Sequence, residues 1–348
     1  ERFKPVGQFA LLTALAFMIF VPMPLLLHLG HPERAFNTML TPHWTSAIAV
    51  FGFFAGFYVI LLMLEIWFMF RPYFVQQAQR TSGLIGRLWH VAGLGSDDLS
   101  PKAMRYDEKW IFTLAVIGIP AAHGLHGYVG FVFGSLKSRE WWSSDLMPVV
   151  FLFSAVISGV ALLIVLYVLS CRLRKIAVDL QCLKGLAYVL WGFAMFTLVL
   201  EGLEFANVVY KGREGVEMIL EYVSGPLLVP FFILQFSIGA LIPIAVLSYM
   251  IWRGTTGKAL IVGVTVSALL VQFQVWMMRW NVVIGGQEIA KTGKGLLSYQ
   301  LVLLHREGLL TAVSVAVAPL LLLWAMVRVL PPWENAATSS RSPLASAS

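Results

Sequence analysis

Charged residues and cysteines are scarce in this chain. Only 12% of its 348 residues are charged, and it holds two cysteines, Cys171 and Cys182. Neither cysteine belongs to a CxxC or CxxCH motif, and the sequence shows no Walker motif, soluble domain or tandem repeat. These absences exclude a protein that carries its own iron–sulfur cluster or c-type haem. No cluster of Cys, His and carboxylate residues predicts a metal site.

Apolar residues are abundant instead. The chain is 59% hydrophobic with a mean hydropathy of +0.79, which predicts an all-α polytopic membrane protein. Its net charge of +7 comes from loop Lys and Arg and not from a basic face with interleaved aromatics. The expected surroundings are therefore a lipid membrane and not nucleic acid. Eight apolar runs of about 20 residues or more can span a bilayer: 6–27, 45–70, 110–134, 147–169, 184–209, 226–252, 257–280 and 300–330.

The spans suggest one transmembrane helical domain over residues 1–330, within which two four-helix halves are an open alternative. Residues 331–348 follow Pro331-Pro332, are rich in Ser and Ala, and are expected to be a disordered tail. The chain begins with Glu1 and not with Met, so we expect an N-terminal portion to be missing. Pro120 and Pro243 lie inside spans and are expected to kink their helices.

The positive charges predict the orientation. One set of alternate loops and ends carries sixteen Lys and Arg, and the opposite set carries eight. The positive-inside rule then places the first set, including the C-terminus, in the cytoplasm. Loops 28–44 and 281–299 would face the periplasm of a prokaryotic cytoplasmic (inner) membrane.

Ionisable side chains inside the spans are the candidate functional residues, because charge at membrane depth is costly. His123 and His126 are three residues apart and share a helical face, and Tyr128 follows them. A ligand that touched all three would need the Gly-rich backbone to bend. In the predicted orientation most candidates collect near the outer face: His123, His126, Tyr128, Glu201, Glu204, Arg279, Asn281 and His305.

For each candidate a structural alternative stays open. The two histidines are either ligand contacts or polar bridges between helices. Glu201 and Glu204 share a face and are either a proton relay or ion-pair partners of Arg279 or Arg306. His305, at the start of the last span beside Glu307, is either a proton-transfer group or a solvated interfacial residue.

Glu65 is the one candidate toward the cytoplasmic side, and it is either a proton entry point or a snorkelling or helix-paired carboxylate. His28, His31 and His43 in the outer loops are simplest as contacts to a partner protein.

Four stretches resemble a known family. They are His28–Arg34, Thr41-Pro42-His43-Trp44, the run Trp141–Pro148, and Arg279–Gln287, which reads Arg-Trp-Asn-Val-Val-Ile-Gly-Gly-Gln. Together they resemble the NrfD/polysulfide-reductase membrane-subunit family, and within it the DsrP-type subunits of sulfite-reductase-associated (DsrMKJOP-like) complexes in sulfur metabolism. The family loop often reads Asp-Leu-Gly-Arg-Pro, whereas this chain has His28 and His31 at the first and fourth positions.

The resemblance implies a haem-free bundle that exchanges electrons between a membrane quinone, menaquinone or ubiquinone, and a periplasmic iron–sulfur ferredoxin-like subunit. Other membrane and cytochrome subunits would complete the complex, and at least one more helix would precede Glu1. It also implies that Tyr128 lies beside the quinone.

Quinone chemistry needs hydrogen-bond donors and proton-exchanging groups, which suits His123, His126, Tyr128, Arg279 and Asn281 as quinone contacts. Glu201, Glu204, His305 and Glu65 would transfer protons. Two rival functions remain. A haem b cytochrome would pair His123 or His126 with His305, and a transporter would hold its substrate at mid-depth.

Overall fold

The protein is built from helices. The computed structural model describes residues 3–139, 141–211, 216–292, 295–298, 300, 302–306 and 308–332. Within these residues, eight helical stretches are long and apolar enough to cross a membrane: Val6–His28, Ala47–Arg80, Pro101–Gly134, Met147–Leu173, Leu180–Tyr210, Leu228–Trp252, Gly257–Glu288 and Leu309–Val329. The predicted fold class, a polytopic helical membrane protein, is confirmed.

In chain order the α-helices are α1 (Lys4–Phe20), α2 (Pro22–His28), α3 (Asn37–Leu40), α4 (Ala47–Arg80), α5 (Gly83–Ala92), α6 (Pro101–Gly134), α7 (Met147–Leu173), α8 (Leu180–Lys211), α9 (Val216–Ser224), α10 (Ile242–Trp252), α11 (Gly257–Trp280), α12 (Gly286–Glu288) and α13 (Leu309–Val329). A long π-helical segment, Leu228–Leu241, precedes α10, and a short one, Asn281–Gly285, follows α11. A 3₁₀ turn covers Pro32–Arg34.

The chain divides into two compact units. The first contains Lys4–Leu125 and the described residues after 301; the second contains His126–Gln300 with Phe3. The boundary falls inside α6, and the division is not sequential, because α13 belongs with the N-terminal helices.

In the first unit, α1 packs against α4 and α13. A buried ion pair ties α4 to α6: Arg71 Nε lies 2.8 Å from both carboxylate oxygens of Asp107. The Arg71 Nη1 also donates to the Asp98 carbonyl at 2.8 Å. A guanidinium at this depth is stable only when its donors are satisfied, so the pair fixes the packing of the two helices.

In the second unit, α11 is the central helix, and it packs against α7, α8, α10 and the long π segment. A side chain at Gly239 of that segment would place its Cβ 2.5 Å from Gln274 Cβ and 2.8 Å from Gln274 Cα. Glycine therefore permits the close approach of the two backbones. The approach brings polar residues of both elements to one position.

The structure differs from expectation at the start of the last span. The last helix begins at Leu309 and not near residue 300, so His305 and Arg306 lie in the turn before it. There the Arg306 guanidinium donates to the carbonyls of Leu26 and Leu29, at the end of α2. Helix α4 continues past the predicted span 45–70 and contains Pro72. The polar stretch 71–109 is mostly helical, in α4, α5 and α6. Residues 333–348 of the expected tail, and Glu307, lie outside the described residues.

Candidate functional site

A cavity lies within the second unit. Its volume is about 50 Å³, and the free space in and around it, which includes open solvent, is about 500 Å³. Its walls are mostly apolar and include Trp141, Phe205 and Phe231. Its polar lining residues are Glu201, Glu204, Gln235 and Asn281.

Glu201, from the C-terminal half of α8, is the centre of a buried hydrogen-bond network. It is 5% exposed. Its Oε2 accepts from Gln235 Nε2 at 2.9 Å, and its Oε1 accepts from Gln274 Nε2 at 2.8 Å. Both carboxylate oxygens are thus satisfied by amide donors, which offsets the cost of burying the group.

The network extends from Glu201 to Asn281. Gln235 Oε1 accepts a hydrogen bond of 2.8 Å from Asn281 Nδ2. Asn281 is 1% exposed, and its Oδ1 has no hydrogen-bond partner among the described residues. The chain of amides therefore ends at Asn281, a residue that lines the cavity, with an acceptor atom that the described residues leave unused.

Both amides belong to π-helical stretches. Gln235 lies within the long π segment, and Asn281 begins the short one. The wider π turn leaves backbone carbonyls without their usual helical donors, and such turns are frequent at functional sites. Here indole nitrogens supply the donors: Trp141 Nε1 donates to the Asn281 carbonyl at 3.2 Å, and Trp142 Nε1 to the Val282 carbonyl at 2.5 Å.

Arg139 also contacts the segment that follows α11. Its Nη1 donates to the carbonyls of Gly286 and Ile289 at 3.1 and 2.8 Å, and its guanidinium lies 5.5 Å from the Trp142 ring. A Cβ on Gly286 would overlap the Trp142 indole, so glycine is needed at that position. The segment before α7 thus holds the Asn281 backbone in place.

Glu204 lies one turn after Glu201 and is half-buried against the cavity. Its carboxylate hydrogen-bonds with the Ser144 side chain, which comes from the segment before α7. Two carboxylates therefore line one cavity, one enclosed by amides and the other at its margin.

Arg279 lies beside the network but bonds elsewhere. Its Nη2 donates to Ser154 Oγ at 2.6 Å, and its guanidinium lies 3.8 Å from the centre of the Phe151 ring. Its charge interacts with the Glu201 carboxylate at longer range. Among the described residues, Glu201 is therefore bound by neutral amides, and Arg279 is held by α7.

His126 and Tyr128 belong to the same unit as the cavity but do not line it. The Tyr128 ring packs against Phe131 with 5.5 Å between centroids. Helix α6 continues through this region to Gly134 without a break.

The other three candidates belong to the first unit. His123 is exposed, and its Nδ1 lies 2.6 Å from the Ile119 carbonyl. Glu65 is buried in α4 close to Gly118 of α6. His305 lies in the turn before α13, where its carbonyl accepts from the Thr311 hydroxyl at 3.1 Å.

Gln235 and Gln274 are site residues that sequence reasoning missed. Each is at most 2% exposed and donates to Glu201. The signal was a glutamine inside an otherwise apolar span, at Phe-Ile-Leu-Gln-Phe and Leu-Val-Gln-Phe-Gln-Val. Both are uncharged, so a search for ionisable groups passes over them.

Most of the chain matches a known protein family. The family model described as polysulphide reductase, NrfD, matches residues 1–290. The chain belongs to the NrfD family. The family resemblance seen in the sequence motifs is confirmed, and the closer likeness to DsrP-type subunits stays a prediction.

Three named proteins are similar in sequence to this NrfD-family chain. The chain is 31% identical over 290 residues to a subunit of the selenate reductase of Mesobacillus selenatarsenatis, covering 82% of this chain and 66% of the relative. It is 27% identical to a Halobacterium salinarum protein provisionally named as a membrane subunit of dimethyl sulfoxide reductase, covering 57% and 43%. It is 26% identical to protein NrfD of Escherichia coli, covering 56% and 55%. The NrfD-family chain therefore spans less than two thirds of the length of these relatives, two of which are named as reductase subunits.

Proposed function

We propose that this NrfD-family chain is the quinone-reactive membrane subunit of a reductase complex and that the cavity of the second unit binds the quinone ring. One observation carries the proposal. The mostly apolar cavity is lined by Glu204 and by the buried network around Glu201. The names of the relatives support a place in a multi-subunit reductase.

The residues of the cavity fit a quinone. Aromatic and aliphatic walls suit a flat apolar ring, and Phe205 and Phe231 lie 5.6 Å apart between centroids. The oxygens of the ring need polar partners, and the cavity lining offers Asn281 and Glu204. When bound, a quinol would supply two electrons and two protons and a quinone would take up the same number, so the site also needs a group that exchanges protons.

Glu204 is the best candidate for that proton exchange. Its carboxylate lines the cavity and is only half-buried, and among the described residues it is held by Ser144 and not by a cation. Glu201, with both oxygens committed to amides, acts as the fixed acceptor behind it. Proton transfer by a positioned carboxylate contributes about 10²–10⁴-fold to a rate.

The remaining assignments rest on the same proposal. Electrons would pass between the quinone and a periplasmic iron–sulfur ferredoxin-like subunit, with other membrane and cytochrome subunits in the complex. Segments 28–44 and 281–299 would face that partner on the periplasmic side of the inner membrane of a prokaryote, and the C-terminus would be cytoplasmic. Of the sequence candidates, Glu65 and His305 would serve proton movement in the first unit, apart from this cavity.

The test measures quinone content and turnover in the purified complex. We expect extractable quinone without a haem absorption band, and electron transfer with a quinol or quinone slowed at least about 10-fold by Glu204→Gln. Glu217→Gln, on the exposed side of α9, is the matched control and should leave the rate unchanged. A complex that retains and turns over no quinone would refute the function. A haem band that requires His123 or His126 would replace it with the cytochrome.

A further inference from the structure

The unpaired acceptor on Asn281 bears on whether the cavity prefers the oxidised or the reduced form of its ligand. We propose that the Glu201–Gln235–Asn281 chain fixes the polarity of the cavity so that it binds the hydroxyl-bearing, reduced form more tightly than the carbonyl form. The inference rests on the proposed function, because it concerns two redox forms of the same ring in the same cavity.

The polarity begins at Glu201. A carboxylate only accepts hydrogen bonds, whereas a primary amide donates through nitrogen and accepts through oxygen. Gln235 and Gln274 must therefore turn their nitrogens toward Glu201, as the contacts of 2.9 and 2.8 Å show. The orientation of Gln235 is thereby settled by its charged neighbour.

Gln235 passes this orientation to Asn281. Its nitrogen faces Glu201, so its oxygen faces away and accepts from Asn281 Nδ2 at 2.8 Å. One N–H of Asn281 is committed to Gln235, and its acceptor, Oδ1, is buried and has no partner among the described residues. Rotating the Asn281 amide by half a turn would place two oxygens against each other, so the protein holds Oδ1 as the unpaired end of the network, on a residue that lines the cavity.

Oδ1 needs a donor, and the two forms of the ring differ on this point. The reduced ring carries two hydroxyl groups that donate, whereas the oxidised ring carries carbonyls that only accept. A carbonyl facing Oδ1 would leave both oxygens without a donor, and a buried unpaired acceptor is costly. Asn281 is thus a binding residue that selects between redox forms, and Gln235 and Glu201 are positioning residues that act through it.

The experiment compares the affinities of both forms for the full protein in lipid nanodiscs. The probes are a short-tailed naphthoquinone and its chemically reduced naphthoquinol, titrated by anaerobic calorimetry. We expect wild-type protein to bind the naphthoquinol at least about 5-fold more tightly, as one hydrogen bond allows. Asn281→Leu keeps the side-chain size and removes the acceptor, so the preference should fall to about 1.

Gln235→Leu tests the positioning role. It frees Asn281 to rotate and to present its nitrogen to a carbonyl, so both forms should bind while the preference disappears. A role limited to structure would weaken both forms equally and leave their ratio unchanged. Gln272→Leu is the matched control: its Oε1 is also buried and unpaired and lies on α11, but the residue does not line the cavity. It should leave the ratio as in wild type.

The outcomes separate this inference from the function on which it rests. If wild-type protein binds both forms equally, or if Asn281→Leu keeps the preference, the polarity argument is overturned and the quinone-binding function stands. If neither form binds wild-type protein, both proposals fail. A preference that Gln272→Leu abolishes as well would also overturn the assignment to Asn281.

Discussion

Replacing Gly239 by alanine should separate the long π segment from α11 and break the network at Glu201. The added Cβ would lie 2.5 Å from Gln274 Cβ and 2.8 Å from its Cα. Carbon atoms pack best at about 3.5–4.0 Å, so the two elements must separate by about 1 Å. The obstacle is backbone and the root of a side chain, which cannot rotate away.

The expected cost follows from three terms. Overpacking a close contact costs about 1–3 kcal/mol. The 2.8 Å bond from Gln274 to Glu201 lengthens beyond hydrogen-bond range, and such a bond between membrane helices contributes about 0.6 kcal/mol on average, up to about 1.7. Alanine recovers up to about 1 kcal/mol through its helix propensity. The net destabilisation should be about 1–3 kcal/mol.

The measurement is the free energy of unfolding of the purified protein in mixed detergent micelles, with two matched glycine variants. Gly192→Ala, on α8 with no atom within 4 Å of the added Cβ, should be neutral or stabilising. Gly263→Ala meets the flexible end of Met250, which can rotate away, so its cost should be small. If all three variants have the same stability, close packing of the π segment is not what holds the network together.

Two further predictions concern buried polar pairs. Asp107→Asn should destabilise the first unit by about 3–5 kcal/mol, because it leaves the Arg71 guanidinium buried without its charge partner; the double variant Arg71→Met/Asp107→Leu should recover most of that loss in the same unfolding assay. The Tyr222 hydroxyl donates to the Glu288 carboxylate, and burial, together with that carboxylate, raises the pKa of Tyr222 above its ordinary value of 10.0. The stability from this neutral hydroxyl is present below pH 10 and is lost as the pH rises above it, so alkaline unfolding should show a smaller decrease for Tyr222→Phe than for wild type.

The sequence predicted the membrane helices well because length and hydropathy are local properties. The length and hydropathy of a run such as 257–280 are enough to predict a membrane-spanning helix, without knowledge of any other part of the chain. The start of the last helix was misplaced because residues 302–304 continue the apolar pattern, while the chain there folds into a turn. Arg306 satisfies the carbonyls that end α2, a contact from distant parts of the sequence that no local pattern contains.

The candidate site was partly predictable. Glu201, Glu204 and Asn281 stood out as costly polar groups inside spans, and all three line the cavity. Gln235 did not stand out, and helical periodicity would not have placed it correctly. Counting about 100° per residue assumes an α-helix, whereas residues 228–241 form wider π turns. The face on which Gln235 lies therefore depends on packing against α11.

A buried charge can act on a ligand through neutral groups that orient one another. Glu201 is the most conspicuous polar residue of the site, yet both its oxygens are occupied by glutamine amides. Glu201 instead orients the side-chain amide of Gln235, which in turn orients the amide of Asn281 in the wall of the cavity. Each amide in such a chain has one donor end and one acceptor end, so the acceptor-only carboxylate decides which end emerges at the far side. In the proposed mode of binding, the atom that recognises the ligand is uncharged, and its polarity is a property of the assembled network.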